Sequence, residues 1–308
     1  MSAAKRESTK RDYYERMLRV LDHIQRHLDD ELTLTGLAGV ACFSPYHFHY
    51  VFRGIVGEGV GGYIRRLRLE RAWHRLLGGD RPVTEVARGA GYSSHEGFDR
   101  AFKAHFGLTP SHARRVAEVS AMLPSSDGRL PEELARRLQR LLQPTEDGAE
   151  LGVEVRRIEP LRVAAIRHVG PYDRIGALFE GLMAWAGRHR MLGSATRVLG
   201  LCYDDPEMTP PEQCRYDACL ALDPDQSVPL QDGVSEILIQ GGEYAVAVHR
   251  GKHCDLPQTY ALVCGQWCPR FGREIRDVPC IENYLNDARN TSVEALRTEI
   301  YVPLQLET

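Results

Sequence analysis

Apolar residues recur at helical spacing through the first hundred or so positions. Met17, Val20, Leu21, Ile24 and Leu28 mark an amphipathic helix over 12–28, since positions three and four apart share a helix face. Thr35 is read as the cap of a short helix carrying Leu37, Ala38, Val40 and Ala41. Ser44-Pro45 opens the next one, with serine as cap and proline in the first turn. Phe48, Val51, Phe52 and Ile55 form its inward stripe, and Gly57 ends it. A longer helix is predicted over 63–77, with Leu69, Ala72, Trp73 and Leu76 on one side and Gly78-Gly79-Asp80 as its stop. The short-helix, turn, helix pattern then returns. Val83, Val86, Ala87 and Ala90 lead to Gly91-Tyr92-Ser93, and a helix capped by Ser94 turns Phe98, Ala101 and Phe102 inward.

The two units share a skeleton. Phe48-x3-Phe52-x4-Gly57 reappears as Phe98-x3-Phe102-x4-Gly107, the mark of a duplicated structural unit. Residues 118–150 read as a linker, with PSSDG and PTEDG flanking a short charged helix. From residue 151 the period changes to two, in VEVRRIE, RVAAIRHV, RVLGLCY, YDACLAL, SEILIQ, YAVAVHR and EIYVPLQL, which predicts strands. Helices are expected at 173–190 and 255–270. This half repeats too: Asp173 to Trp185 and Asp255 to Trp267 have the same spacing, and each unit leads to a strand ending in Tyr203 or Tyr284. The fold class expected is multidomain. An all-α double helix-turn-helix domain (1–117) and a linker (118–150) precede an α+β domain (151–308) of two pseudo-equivalent halves around one cleft.

Composition bears on the partner. Residues 1–117 hold 19 Lys and Arg against 13 Asp and Glu, a balance of +6, whereas residues 118–308 hold 20 against 29, a balance of -9. Such asymmetry suits one half meeting a polyanion, but an excess of +6 is modest and does not decide it alone. No apolar run approaches a membrane span and no signal peptide is evident, so a cytoplasmic protein without a membrane partner is expected. The eight cysteines include Cys214-x4-Cys219 and Cys264-x3-Cys268. These spacings do not match zinc pairs, so free thiols are expected and neither a metal nor a cofactor is assigned. The run Gly57, Gly59, Gly61, Gly62 joins two helices with no strand before it, which argues against a nucleotide loop.

The run from ACFSPYHFHYVF through RLRLERAW, and then GYSSHEGFDRAFKAHFGLTPSHAR, resembles the DNA-binding domain of the AraC/XylS family over about residues 12–115. That resemblance implies a transcription regulator with two recognition helices on one face of double-stranded DNA. In a helix-turn-helix the second helix enters the major groove and its outward side chains meet base edges. Tyr46, His47, His49, Tyr50 and Arg53 are the outward set of the first unit, and the resemblance puts base-facing roles on Tyr46, His49 and Tyr50. His95, Glu96, Gly97, Asp99, Arg100 and Lys103 are that of the second. Acids accept from cytosine but repel phosphate, so Glu96 and Asp99 fit readout, capping or a solvated face.

Residues 151–306 resemble the GyrI-like effector-binding family, on RHVGPYDRI, YDDPEMTP, GGEYAV, PCIENYLND and TEIYVP. The resemblance implies an aromatic cleft taking small amphipathic or cationic molecules. Glu282 sits between apolar neighbours in CIENY, where a carboxylate is costly unless paired; the alternative is a solvent-facing place on a half-buried strand. Tyr172, Trp185, Tyr203, Trp267 and Tyr284 are cleft candidates that could instead be core. The effector-responsive regulator, with RNA polymerase a candidate partner, competes with two other readings. One is hydrolase chemistry at the cleft, and the other is a protein-docking module without small ligand. The acidic half is also expected to mask the basic one electrostatically.

Overall fold

A computed structural model describes residues 3–77, 81–115, 134–136, 138–139, 152–193, 196–223 and 225–306. The stop at 78–80 and most of the 118–150 linker lie outside the described residues. α1 (Ala3–Arg26) begins well before residue 12 and buries Met17, Val20, Leu21 and Ile24. α2 (Leu34–Ala41) is capped by Thr33 rather than Thr35, the Thr33 hydroxyl accepting from the Gly36 amide at 3.1 Å. A cap side chain must reach open amides of the first turn from outside it, and Thr35 already lies within the helix.

α3 (Pro45–Val56) and α6 (His95–Phe106) are the duplicated helices. Each follows a serine cap and ends on a left-handed glycine, Gly57 at φ 94° and Gly107 at φ 77°. That conformation is costly for any residue bearing a Cβ. α4 (Val60–Leu77) joins the two units. Its Tyr63 and Ile64 pack with α1–α3, while its Leu69, Ala72, Trp73 and Leu76 pack with α5 (Val83–Gly89), α6 and α7 (Pro110–Arg115). The predicted pair of helix-turn-helix units on a shared spacer is thus observed.

The second half is one antiparallel sheet. Its strands are β1 (Val153–Ile158), β2 (Leu161–Val169), β3 (Val198–Cys202), β4 (Arg215–Ala221), β5 (Val234–Ile239), β6 (Gly242–Arg250), β7 (Cys280–Tyr284) and β8 (Arg297–Pro303). They lie in the order β1-β6-β8-β7-β3-β4-β2-β5. α8 (Ile175–Arg188) and α9 (Leu256–Leu262) are the two predicted helices, α9 continuing through a π turn, Val263–Trp267, to Arg270. The strand order is symmetric about the β7–β3 pair, with β8 answering β4, β6 answering β2 and β1 answering β5. Each repeat lends its first strand to the other, since β1 pairs with β6 and β5 with β2. At the central pair Gly200 faces Glu282. Both are the third residue of their strands, so Glu282 lies opposite its own counterpart in the repeat.

The hydrophobic core crosses the boundary expected at 117. Tyr13, Phe48, Val51, Phe52 and Tyr63 share one buried cluster with Ala245, Tyr260, Trp267, Ile300 and Val302, and Leu134 and Leu138 join it. The first helix-turn-helix unit is therefore packed onto the sheet half. The second keeps a core of its own around Trp73, Phe98 and Phe102.

Candidate functional site

Side chains alternate across a strand, so Cys280, Glu282 and Tyr284 share one face of β7 while Ile281 and Asn283 take the other. Glu282 is buried, at 5% exposure, and three phenols surround its carboxylate. Tyr216 donates to Oε2 at 2.9 Å, Tyr284 donates to the same oxygen, and Tyr260 donates to Oε1 at 3.0 Å. The Tyr216 and Tyr284 hydroxyls also lie 2.6 Å apart. Burial, with the nearby Glu282 charge, pushes all three phenols well above their usual range, so they remain donors. Among the described residues no Lys or Arg pairs with Glu282. Phe179 and His253 stand edge-on to Tyr284 at 5.3 and 5.2 Å.

A glycine makes this arrangement possible. A Cβ on Gly200 would lie 1.8 Å from the Tyr216 hydroxyl and 3.3 Å from Glu282 Oε2. One repeat supplies the acid and the other, at the equivalent place, supplies the vacancy that the phenol fills.

The sequence candidates divide. Glu282 and Tyr284 are in the cluster. Tyr172 flanks it, edge-on to Tyr216 at 6.0 Å, with its hydroxyl 3.0 and 2.9 Å from the Asp204 and Arg215 carbonyl oxygens. Trp185 is core beneath the sheet, packed with Ala218 and Leu220. Trp267 is core as well, 5.1 Å from Phe271. Tyr203 belongs to the opposite face, where its hydroxyl donates to the buried Asp217 at 2.7 Å and Arg167 covers its ring. Tyr216 and Tyr260 were not singled out from the sequence. The repeat could have pointed to Tyr216, whose strand neighbours β3; nothing local distinguishes Tyr260 from a core aromatic.

α3, the first helix expected to read DNA, is not open. His47, His49 and Tyr50 are 1%, 6% and 7% exposed, because the sheet half covers the face expected to read DNA. The Tyr46 ring meets Tyr203 edge-on at 5.9 Å. His47 Nε2 lies 2.8 Å from the Val278 carbonyl and 3.0 Å from that of Arg276. Tyr50 stacks on Tyr260 at 4.2 Å with 11° between the rings, and Arg53 pairs with Glu207. This corrects the expectation that Tyr46, His47, His49, Tyr50 and Arg53 face outward. They point away from their own helix-turn-helix core, as periodicity requires, but into another part of the molecule. Burial lowers the pKa of His47 to about 4 and that of His49 to about 3.

α6 presents the opposite picture. His95, Glu96, Arg100 and Lys103 are exposed, and Gly97 and Asp99 are half-buried. Ser94 Oγ accepts from the Gly97 amide at 3.1 Å, and a Cβ on Gly97 would come within 2.9 Å of that oxygen. Gly97 thus serves the cap. Asp99 Oδ2 lies 3.6 Å from His95 Nε2 one turn away. Glu96, Arg100 and Lys103 form the uncovered stripe.

Residues 152–305 match the GyrI-like small molecule binding domain, and residues 37–116 match a helix-turn-helix domain. This chain belongs to the GyrI-like family. It is an AraC-type DNA-binding transcription regulator carrying a small-molecule-binding domain. It is 27% identical over 297 residues to the right origin-binding protein of Escherichia coli K12, covering 92% of this chain and 95% of that one. The probable transcriptional regulator YgiV of the same strain is 36% identical over 112 residues, 35% of this chain and 68% of that one. The DNA gyrase inhibitor of Salmonella typhimurium LT2 is 29% identical over 154 residues, 49% of this chain and 97% of that one. No helix among the described residues is long and apolar enough to cross a membrane. The described His, Cys, Asp and Glu side chains form no cluster of three able to hold a metal.

Proposed function

We propose that this regulator takes a small amphipathic cation at Glu282 and answers it by changing how it engages DNA. The observation that carries this reading is the buried carboxylate itself. A charge out of water needs a partner, and three neutral phenols supply hydrogen bonds but no positive charge. Aromatic faces beside a carboxylate are the chemistry that recognises an organic cation. Burial holds the Cys202 thiol at about 12, so no thiolate nucleophile stands beside the carboxylate. The expected setting is the cytoplasm, with RNA polymerase as the partner at a promoter.

Calorimetry on the full chain tests the ligand reading, with benzyltrimethylammonium as the cationic probe and benzyl alcohol as the neutral one. Glu282→Gln should weaken the cation at least ten-fold and leave the alcohol unchanged. Equal affinity of both proteins for the cation would overturn it.

For DNA, the residues proposed to contact the duplex are His95, Glu96, Gly97, Asp99, Arg100 and Lys103 on the uncovered α6; Tyr46, His49, Tyr50 and Arg53 on α3 join them only when the sheet half no longer covers them. Arg100→Ala is expected to cost about 1–3 kcal/mol if its guanidinium makes a bidentate base contact. A competition assay on a selected duplex reads this directly. A loss shared equally by random duplex would reassign Arg100 to phosphate.

A further inference from the structure

We propose that the sheet half stores the recognition helix α3 as a wall of its own effector cleft, so that α3 reads DNA only after it leaves that wall, and that effector binding at Glu282 promotes the departure. Helix and groove have matching widths, about 10–12 Å against about 12 Å. A helix covered on its reading face therefore cannot enter the groove. In this structure Tyr46, His47, Tyr50 and Arg53 all meet the sheet half, so docking and reading exclude one another.

The docking is built into the sequence. A Cβ on Gly54 would stand 2.1 Å from the Ala261 carbonyl oxygen and 2.6 Å from Gly265 Cα. One on Gly265 would stand 2.5 Å from Gly54 Cα and 2.7 Å from the Val51 carbonyl oxygen. The two helices cross backbone against backbone. The glycine run after α3 has the same use, since a Cβ on Gly59 or Gly61 would collide with Glu207. The Tyr50–Tyr260 stack, the His47 contacts to the Arg276 and Val278 carbonyls, the Ser44–Asp277 hydrogen bond and the Arg53–Glu207 ion pair cross the same surface.

The cleft and α3 meet at Tyr260. Its hydroxyl donates to Glu282 Oε1 while its ring carries Tyr50. Oε2 is closed off by two phenols, Tyr216 and Tyr284, and Oε1 by Tyr260 alone. An organic cation that pairs with Oε1 takes the place of the Tyr260 hydroxyl, and moving Tyr260 loosens the stack under Tyr50. A ligand that binds the undocked form alone, at a thousand times its Kd, shifts the equilibrium about a thousand-fold.

The regulatory step rests on the ligand reading above; the docking step does not, and Gly265→Ala separates them. The substitution blocks docking from the sheet side, leaves every α3 residue intact and needs no ligand. Duplexes are selected from a random pool with the full-length wild type and with the variant. Wild type alone should yield one conserved block, that of α6. The variant should yield two blocks about one helical turn, roughly 34 Å, apart. Wild type with benzyltrimethylammonium should also yield two. A cooperatively melting variant that still selects one block, or wild type selecting two without ligand, overturns the docking step. A two-block variant beside a wild type indifferent to the cation overturns the effector step alone. Should the variant not fold, amide exchange in wild-type α3 decides. At least ten-fold faster exchange over Tyr50–Gly54 with the cation supports the effector step and unchanged exchange overturns it, while wild type selecting two blocks without ligand still overturns the docking step.

Discussion

Acidification from pH 7.5 to 5 is expected to cost the folded chain about 4 kcal/mol through His47 and His49 together. Both imidazoles are buried against the sheet half, which lowers them from an ordinary 6.5 to about 4 and about 3. Burial is the main cause for each. The Arg276 and Val278 carbonyls and Asp277 oppose it at His47. At His49 the Pro45 carbonyl and Asp204 oppose it, while His47 and Arg53 reinforce it. A folded-state pKa below the unfolded one means that the unfolded chain binds more protons at mildly acid pH. The stability is therefore whole above about 6.5 and is lost as pH falls toward 4. Urea midpoints at the two pH values measure it. The double substitution His47→Gln, His49→Gln should flatten the dependence, and a profile that the pair leaves unchanged would place the acid sensitivity elsewhere. Both histidines lie on α3 at its docking surface, so the same window should free α3 before the sheet itself unfolds.

Gly200→Ala should abolish the Glu282 site while leaving the sheet folded. The new methyl would occupy the space of the Tyr216 hydroxyl, and Tyr216 is fully packed within β4. Over-packing of this kind typically costs about 1–3 kcal/mol, which a domain of this size survives. The carboxylate, however, loses one of its donors. Affinity for benzyltrimethylammonium should fall ten-fold or more, with the thermal midpoint lowered by only a few degrees. Unaltered affinity would show that the Tyr216 bond is dispensable. Loss of the cooperative melt would show that the glycine serves the strand rather than the site.

Much of this molecule is local and was readable as such. The duplicated Phe-x3-Phe-x4-Gly skeleton, the serine caps of α3 and α6 and the terminal glycines are decided within a dozen residues. Side-chain period, cap chemistry and the left-handed turn depend on near neighbours alone. The change to period two after 151 and the matching Asp-to-Trp spacings announced the two-fold sheet for the same reason. Glu282 stood out because an acid among apolar strand residues is a local anomaly. Thr35 was misplaced as a cap because one turn of helix start offers two threonines, and backbone geometry chose Thr33.

Only the tertiary structure decided what each outward face meets. Periodicity turned Tyr46, His49, Tyr50 and Arg53 away from their own core, but a face turned outward is solvent or interface according to what lies across from it. Here that is Tyr203, Tyr260 and Glu207, more than a hundred and fifty residues away. The glycines at 54, 59, 61 and 265 carry no local signal, because each is required by a backbone approaching from elsewhere. Trp185 and Trp267 drew attention as large aromatics and proved to be core, whereas Tyr216 and Tyr260 form the site. Which side of a helix or strand looks into a cleft is fixed by strand order and by the Gly200–Glu282 register, and neither is written in any single segment of the chain.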